Sequence, residues 1–163
     1  MQIRGKIVVV TGAAQGIGRA LCERLHAEGA AKIVAADLNG DGAAQIAARI
    51  GGVGVACDVT RADAVGDMVD RIQADIGPID LYCSNAGILE RDPDFGNAAS
   101  ATAESWARSW NVNRHHSALG GGLSGQPAVS ADAKTSGIRR HVLVFQRRRV
   151  IDHYFCGVAD SGN

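Results

Sequence analysis

The chain of 163 residues predicts an α/β domain: a doubly wound parallel sheet of about four strands with flanking helices. Three observations carry this expectation. Short β-branched runs alternate with longer stretches whose apolar residues recur at helical spacing. The runs are apolar throughout, as strands covered by helices on both faces are. Composition agrees, since 46% hydrophobic with only 4% aromatic residues suits α/β layers better than an all-β sandwich.

The elements follow in order. Lys6–Val10 is the first strand, and residues 16–28 form a helix with Ile17, Leu21 and Leu25 on one stripe, closed by Gly29. Lys32–Ala36 is the second strand, ending at Asp37. Asp41–Ile50 is a short alanine-rich helix stopped by Gly51 and Gly52, and Val53–Cys57 is the third strand. Thr60 is the predicted N-cap of a helix reaching Ile76, with Gly77-Pro78 beyond it. Ile79–Ser84 is the fourth strand and runs into Asn85-Ala86-Gly87. A loop through Pro93 then leads to a helix from about Thr102 that carries Trp106 and Trp110.

The turn Thr11-Gly12-Ala13-Ala14-Gln15-Gly16-Ile17-Gly18 joins the first strand to the first helix, and Asp37 stands nineteen residues after Gly18. That order suits a dinucleotide. Gly12 permits a sharp turn, Gly16 lets the backbone approach a pyrophosphate, and Gly18 lets the helix pack closely on the sheet. Amides at the helix start, including that of Ile17, meet phosphate charge. Three glycines alone are weak evidence in a chain that holds 21. Strand, helix and acid together are stronger, and Gly12, Asp37, Asp58 and Asn85 all fall at the carboxyl ends of predicted strands.

Composition excludes other classes. No run approaches a membrane span and the first residues lack a basic-then-apolar signal, so the expected place is the cytoplasm. Cys22, Cys57, Cys83 and Cys156 show no CxxC spacing, which predicts reduced thiols rather than a metal site or disulfides.

These residues resemble the short-chain dehydrogenase/reductase family. Thr11-Gly12 with Gly16 and Gly18 is similar to its cofactor loop, Asp58-Val59 to its adenine contact and Asn85-Ala86-Gly87 to its N-A-G element. Trp106 with Val112-Asn113 is similar to its fourth helix, so the resemblance covers residues 3–113. It implies a Rossmann-like fold and a dinucleotide cofactor held by Gly12, Gln15, Gly16, Ile17, Gly18, Asp37, Asp58, Val59, Asn85, Ala86 and Gly87. It favours NAD over NADP, because an acid at Asp37 bonds ribose hydroxyls and repels an extra phosphate, and Gln15 is not basic. The implied chemistry is hydride transfer between a nicotinamide and a carbonyl or alcohol.

In the family a tyrosine exchanges the proton, a lysine four residues later lowers its pKa, a serine holds the substrate oxygen and an asparagine supports a proton relay. Asn113 is the catalytic position that carries across. The two tyrosines, Tyr82 and Tyr154, are followed four positions later by Ala86 and Val158, and the lysines are Lys6, Lys32 and Lys134. A tyrosine near its free pKa of about 10 is a poor base at neutral pH. The expectation is therefore an oxidoreductase of this type in a truncated, catalytically impaired form, or a non-catalytic NAD-binding module. A small-molecule substrate is expected only if activity survives, and the family's oligomeric state does not transfer.

The pattern stops after Asn113. Residues 1–113 hold 10 Lys/Arg against 14 Asp/Glu, whereas residues 114–163 hold 7 against 3 and four of the five histidines. This divides the chain into a cofactor-binding domain, 1–113, and a divergent tail, 114–163. Metal binding by His115, His116, His141 and His153 lacks a supporting carboxylate spacing. Arg139-Arg140 and Arg147-Arg148-Arg149 lack the interleaved aromatics of a nucleic-acid site, so no nucleic-acid partner is expected. A third reading is a displaced reading frame. Moved forward one nucleotide across Arg139–Cys156, the code permits Gly-Gly-Thr-Phe-Leu-Phe-Ser-Ser-Ala-Ala-Gly-Leu-Leu-Thr-Thr-Ile-Phe-Ala, which resembles the family's fifth strand and serine turn. The tail's composition predicts poor order. The exception is His141–Phe145, a makeshift fifth strand beside the fourth.

Overall fold

The computed structural model describes residues 2–88, 102–118 and 141–144. Among them β1 (Ile7–Thr11), α1 (Gly16–Ala27), β2 (Lys32–Asp37), α2 (Gly40–Ile50), β3 (Val53–Ala56), α3 (Ala62–Asp75), β4 (Leu81–Ser84), α4 (Ala103–Ala118) and β5 (His141–Val144) follow in sequence. The strands form one parallel sheet in the order β3-β2-β1-β4-β5. The chain winds outward from β1 to β3, crosses back to β4 and winds the other way. A topological switch point therefore lies between β1 and β4.

The apolar runs are strands because helices cover both faces, and the two-residue period sorts their side chains. Val8 and Val10 join Ile33, Ala35, Leu81 and Cys83 on one face, against Cys22 and Leu25 of α1 and Ile46 and Ile50 of α2. Val9, Val34, Ala36 and Tyr82 face the other way, against Val65, Met68 and Ile72 of α3, with Val112 of α4 packed alongside. Val8, Val9 and Val10 are fully buried, so β1 is the centre of both cores.

At the amino end of the sheet, Asp80 sets β4 against β1. Its carboxylate accepts from the Ile7 amide at 2.9 Å and from Lys6 Nζ at 2.9 Å, while its own amide donates to the Ile7 carbonyl at 2.9 Å. The carboxyl end carries the loops that matter for function.

The structure bears on three expectations in detail. To the four main strands it adds the makeshift fifth expected beside them, because His141–Val144 pairs in parallel with β4 from Leu81 to Ser84. An apolar strand edge that would otherwise expose its amides and carbonyls attracts such pairing. Thr60 is not the cap of α3. Arg61 holds that position with no side-chain cap bond, and the Thr60 hydroxyl turns back to Asp58 at 2.7 Å. Thirdly, α4 continues past Asn113 to Ala118, so the helix does not break where the composition changes. Its start is as expected: Thr102 Oγ1 accepts from the Ser105 amide at 3.1 Å.

The loop through Pro93, the arginine clusters, His153, Tyr154 and Cys156 lie outside the described residues, as do the side chains of His115, His116 and His141. Among the described residues no helix is long and apolar enough to cross a membrane, and no group of three or more His, Cys, Asp or Glu is placed to hold a metal. Cys22, Cys57 and Cys83 are free and buried.

Candidate functional site

Every predicted contact residue except Asn113 ends a strand, lies in the turn beyond one or opens the helix that follows. Gly12 to Gly18 leave β1, Asp37 ends β2, Asp58 and Val59 follow β3, and Asn85 to Gly87 follow β4.

The glycine turn is shaped by close approach. Gly12 has φ +66°, and a Cβ there would stand 2.8 Å from the Ala86 Cα, so the turns after β1 and β4 press together at the switch point. Gly18 is tighter. A Cβ on it would lie 2.0 Å from the Gly12 carbonyl oxygen and 2.7 Å from Asn85 Nδ2. Its neighbour is thus the turn itself and the Asn85 amide, more specific than the general helix–sheet packing expected from spacing. Gly16 differs: it has φ +55°, and a Cβ would meet nothing within 4 Å. The space above the turn at Gly16 is open.

The start of α1 faces the same space. Gln15 occupies the N-cap with extended backbone and makes no side-chain cap bond, and the first turn carries no acid. The helix's own bonding begins with the Arg19 amide donating to the Gln15 carbonyl at 3.2 Å. Helix geometry leaves the amides of Gly16, Ile17 and Gly18 without an intrahelical acceptor and adds partial positive charge there. Ile17 is half exposed beside them.

Two side chains hold the site together. Thr11 is fully buried. Its hydroxyl donates to the Cys83 carbonyl at 3.2 Å and accepts from the amides of Asn85 at 3.0 Å and Ala86 at 3.1 Å. One donor and two lone pairs are all a hydroxyl has, and all are used. Asn85 returns the contact, its Nδ2 donating to the Thr11 carbonyl at 2.9 Å. Asp37 is the second. Its Oδ2 accepts from the Ala14 amide at 2.9 Å and its Oδ1 from the Asn39 amide at 2.9 Å. A carboxylate offers about four acceptor positions, so these two amides leave capacity for further donors.

Asp58 and Val59 play different parts. Asp58 Oδ1 accepts from the Thr60 amide at 2.9 Å and from its hydroxyl at 2.7 Å, and these bonds hold its carboxyl below its ordinary value. Val59 is buried in the core over α3, so only its backbone is available to a ligand. Asn113 sits on α4, and its amide brackets one residue: Oδ1 accepts from the Ile88 amide at 2.9 Å and Nδ2 donates to the Ile88 carbonyl at 3.1 Å. It holds Ile88 in place.

Tyr82, the tyrosine among the described residues, is buried in the sheet's α3 face. Its hydroxyl, like that of Ser84, has no partner among the described residues. Burial, with the nearby Cys57 and Cys83 adding to it, pushes the phenol well above its ordinary value.

Sequence reasoning did not single out Thr11 as the hub of these turns or Asn39 as the partner of Asp37. A threonine ending a buried strand was the available signal for the first.

Comparison with known proteins places the chain in a family. Residues 6–118 match the family described as short chain dehydrogenase. D-threitol dehydrogenase of Mycolicibacterium smegmatis is 36% identical over 117 residues, which are 69% of this chain and 43% of that protein. The 3-oxoacyl-[acyl-carrier-protein] reductase of Escherichia coli is 39% identical over 90 residues, 54% of this chain and 36% of that protein. Among solved structures, a 3-ketoacyl-(acyl-carrier-protein) reductase from Brucella melitensis complexed with NADH superposes with a TM-score of 0.65 at 30% identity. That match covers 70% of this chain and 46% of the other. A short chain dehydrogenase/reductase from Burkholderia phymatum in complex with NAD also gives 0.65, at 28% identity, over 72% of this chain and 42% of that one. The chain spans less than half the length of these relatives.

Proposed function

We propose, from the premise that this chain belongs to the short chain dehydrogenase family, that it binds a nicotinamide dinucleotide at the carboxyl edge of its sheet and prefers NAD to NADP. The observation that carries the reading is the open space over Gly16, faced by the uncapped start of α1 and flanked by the carboxylate of Asp37. Amides of Gly16 to Gly18 would hold the pyrophosphate, and Asp37 the adenine-side ribose. Asp58 and the Val59 backbone would lie at the adenine, and Asn85, Ala86 and Gly87 would line the path toward the nicotinamide. A 2′-phosphate would meet the fixed charge of Asp37, with neutral Gln15 offering no compensation.

A bound nicotinamide supplies the hydride acceptor or donor of an oxidoreductase. The residues of this chain supply the binding but not the proton handling. No Tyr-x-x-x-Lys pair occurs in these 163 residues, and Tyr82 is buried with a raised pKa. We therefore read the chain as a catalytically impaired member, in which Asn113 keeps a supporting place under Ile88. The alternative within the same frame is a module that binds cofactor without turnover. Three free buried thiols suit a reducing compartment such as the cytoplasm.

The boundary after Asn113 belongs to the same reading: residues 114–163 are a displaced frame of a family gene. In the displaced frame, positions 141–144 would read Thr-Phe-Leu-Phe, so the place of β5 is strand-forming in both frames. The nucleotides around the codons of Asn113 and Arg114 test this directly, and a single continuous frame with no family-like alternative overturns it.

Fluorescence titration with NADH and NADPH tests the binding. The wild-type chain binds NADH more tightly, and Asp37→Ala weakens NADH by about tenfold or more while narrowing the gap to NADPH, as loss of a charge-assisted hydrogen bond requires. Unchanged affinities remove Asp37 from the site. Turnover above background with NADH and a panel of ketones ends the impaired reading.

A further inference from the structure

We infer that Asp37 is also a positioning residue for the glycine turn, through a closed ring of contacts that ties this turn to the start of α2. The inference rests on the dinucleotide reading only for its consequence in binding. The ring has four members. The Ala14 amide donates to Asp37 Oδ2 at 2.9 Å, and the Asn39 amide donates to Asp37 Oδ1 at 2.9 Å. Asn39 Oδ1 accepts from the Gly42 amide at 3.0 Å, capping α2. Gly42 closes the ring by contact: a Cβ on it would stand 2.7 Å from the Ala14 Cβ.

The chemistry follows from where these groups sit. Ala14 lies in the turn between Gly12, which has φ +66°, and Gly16, which has φ +55°. Two glycines in that conformation leave a short turn with many accessible shapes. The main chain restrains it at Ala13, whose amide donates to the Ala36 carbonyl at 3.1 Å, and the Asp37 carboxylate adds the next restraint at Ala14. One carboxylate spanning two backbone amides fixes both the turn and the first residue of the α2 cap. Asp37 thereby sets the shape of the pyrophosphate cradle before any ribose arrives. Exchanging this acid to change cofactor preference also loosens the cradle, so affinity for either dinucleotide falls.

Amide hydrogen exchange on the ligand-free full chain, followed by nuclear magnetic resonance, reads the ring without any cofactor. In Asp37→Ala the Ala14 and Asn39 amides exchange about tenfold faster or more, while Val9 in β1 keeps its protection. In Asp37→Asn one acceptor oxygen remains, so one of the two amides stays slow. Equal rates in wild type and Asp37→Ala overturn the inference, and so does a uniform acceleration of all amides, which would make the ring a source of general stability. Gly42→Ala supplies the second arm. It leaves the Asp37 charge intact but crowds Ala14, so NADH affinity drops about fivefold or more while the preference for NADH over NADPH is kept. Wild-type NADH affinity in Gly42→Ala refutes the role of the ring in binding. If the wild-type chain fails to bind NADH, the binding proposal falls alone, and the exchange rates still decide the ring.

Discussion

Replacing Thr11 with valine keeps the shape of a fully buried side chain and deletes only its hydroxyl. Three hydrogen bonds go with it: to the Cys83 carbonyl, and from the amides of Asn85 and Ala86. Each buried donor left without an acceptor costs about 1–3 kcal/mol. Asn85 and Ala86 are only partly buried, so water reaches them in part and the low end applies. Two amides at about 1 kcal/mol each, with a smaller amount for the carbonyl, give a loss of about 2–3 kcal/mol. With a urea slope of about 2 kcal/mol per molar, the unfolding midpoint falls by roughly 1 M or more. Thr11→Ser is the control, since it keeps the hydroxyl and removes one methyl at a cost of about 1 kcal/mol. Urea unfolding followed by circular dichroism measures both. If Thr11→Val unfolds within about 0.5 kcal/mol of wild type, or is more stable than Thr11→Ser, the hydroxyl is not the hub described here.

Three further outcomes follow from the same geometry. Gly18→Ala drives a Cβ toward the Gly12 carbonyl, whereas Gly16→Ala meets open space and costs only about 1–2 kcal/mol for its backbone conformation. Thermal unfolding should therefore show the larger drop in Tm for Gly18→Ala, and equal drops would contradict the crowding. Burial pushes the Cys22 and Cys83 thiols up to about 12, so at pH 8 about one in ten thousand is thiolate. A Cys156→Ser chain should resist a disulfide reagent until urea is added, and fast labelling of the native chain would refute their burial. Thr60→Val removes the hydroxyl bond that contributes most to depressing the Asp58 carboxyl and leaves the bond from the Thr60 amide. A group with a depressed folded pKa stabilises above its unfolded value, about 3.9, and that support fades as pH falls through the folded value. Carbon-detected titration should show Asp58 moving up toward the ordinary carboxylate range in Thr60→Val, and an unmoved Asp58 would assign the shift elsewhere.

Much of the architecture was readable in one dimension. Apolar runs without alternation marked strands covered on both sides, and the turn from Gly12 to Gly18 marked the passage from β1 to α1 at the sheet's carboxyl edge. Such signals are local: a side-chain period or a glycine spacing is complete within a few residues. Local reasoning also went astray where a side chain had two partners within reach. Thr60 had the chemistry of a helix cap, but Asp58 two residues earlier took its hydroxyl. Val59 lies in the turn after β3 with its side chain buried in the core, a placement its motif does not record.

Sheet order decided the rest. Thr11 and Asn85 are 74 positions apart and meet because β4 lies beside β1. Asp37 finds Ala14 because β2 lies on the other side of β1. Parallel pairing after a crossover places strand ends together whatever their separation along the chain, and no periodicity records which strand becomes the neighbour. Linear pattern thus specified which residues stand at the carboxyl edge of the sheet, while the packing of β2 and β4 around β1 selected which of their polar groups bond to one another and which stay open to the proposed cofactor.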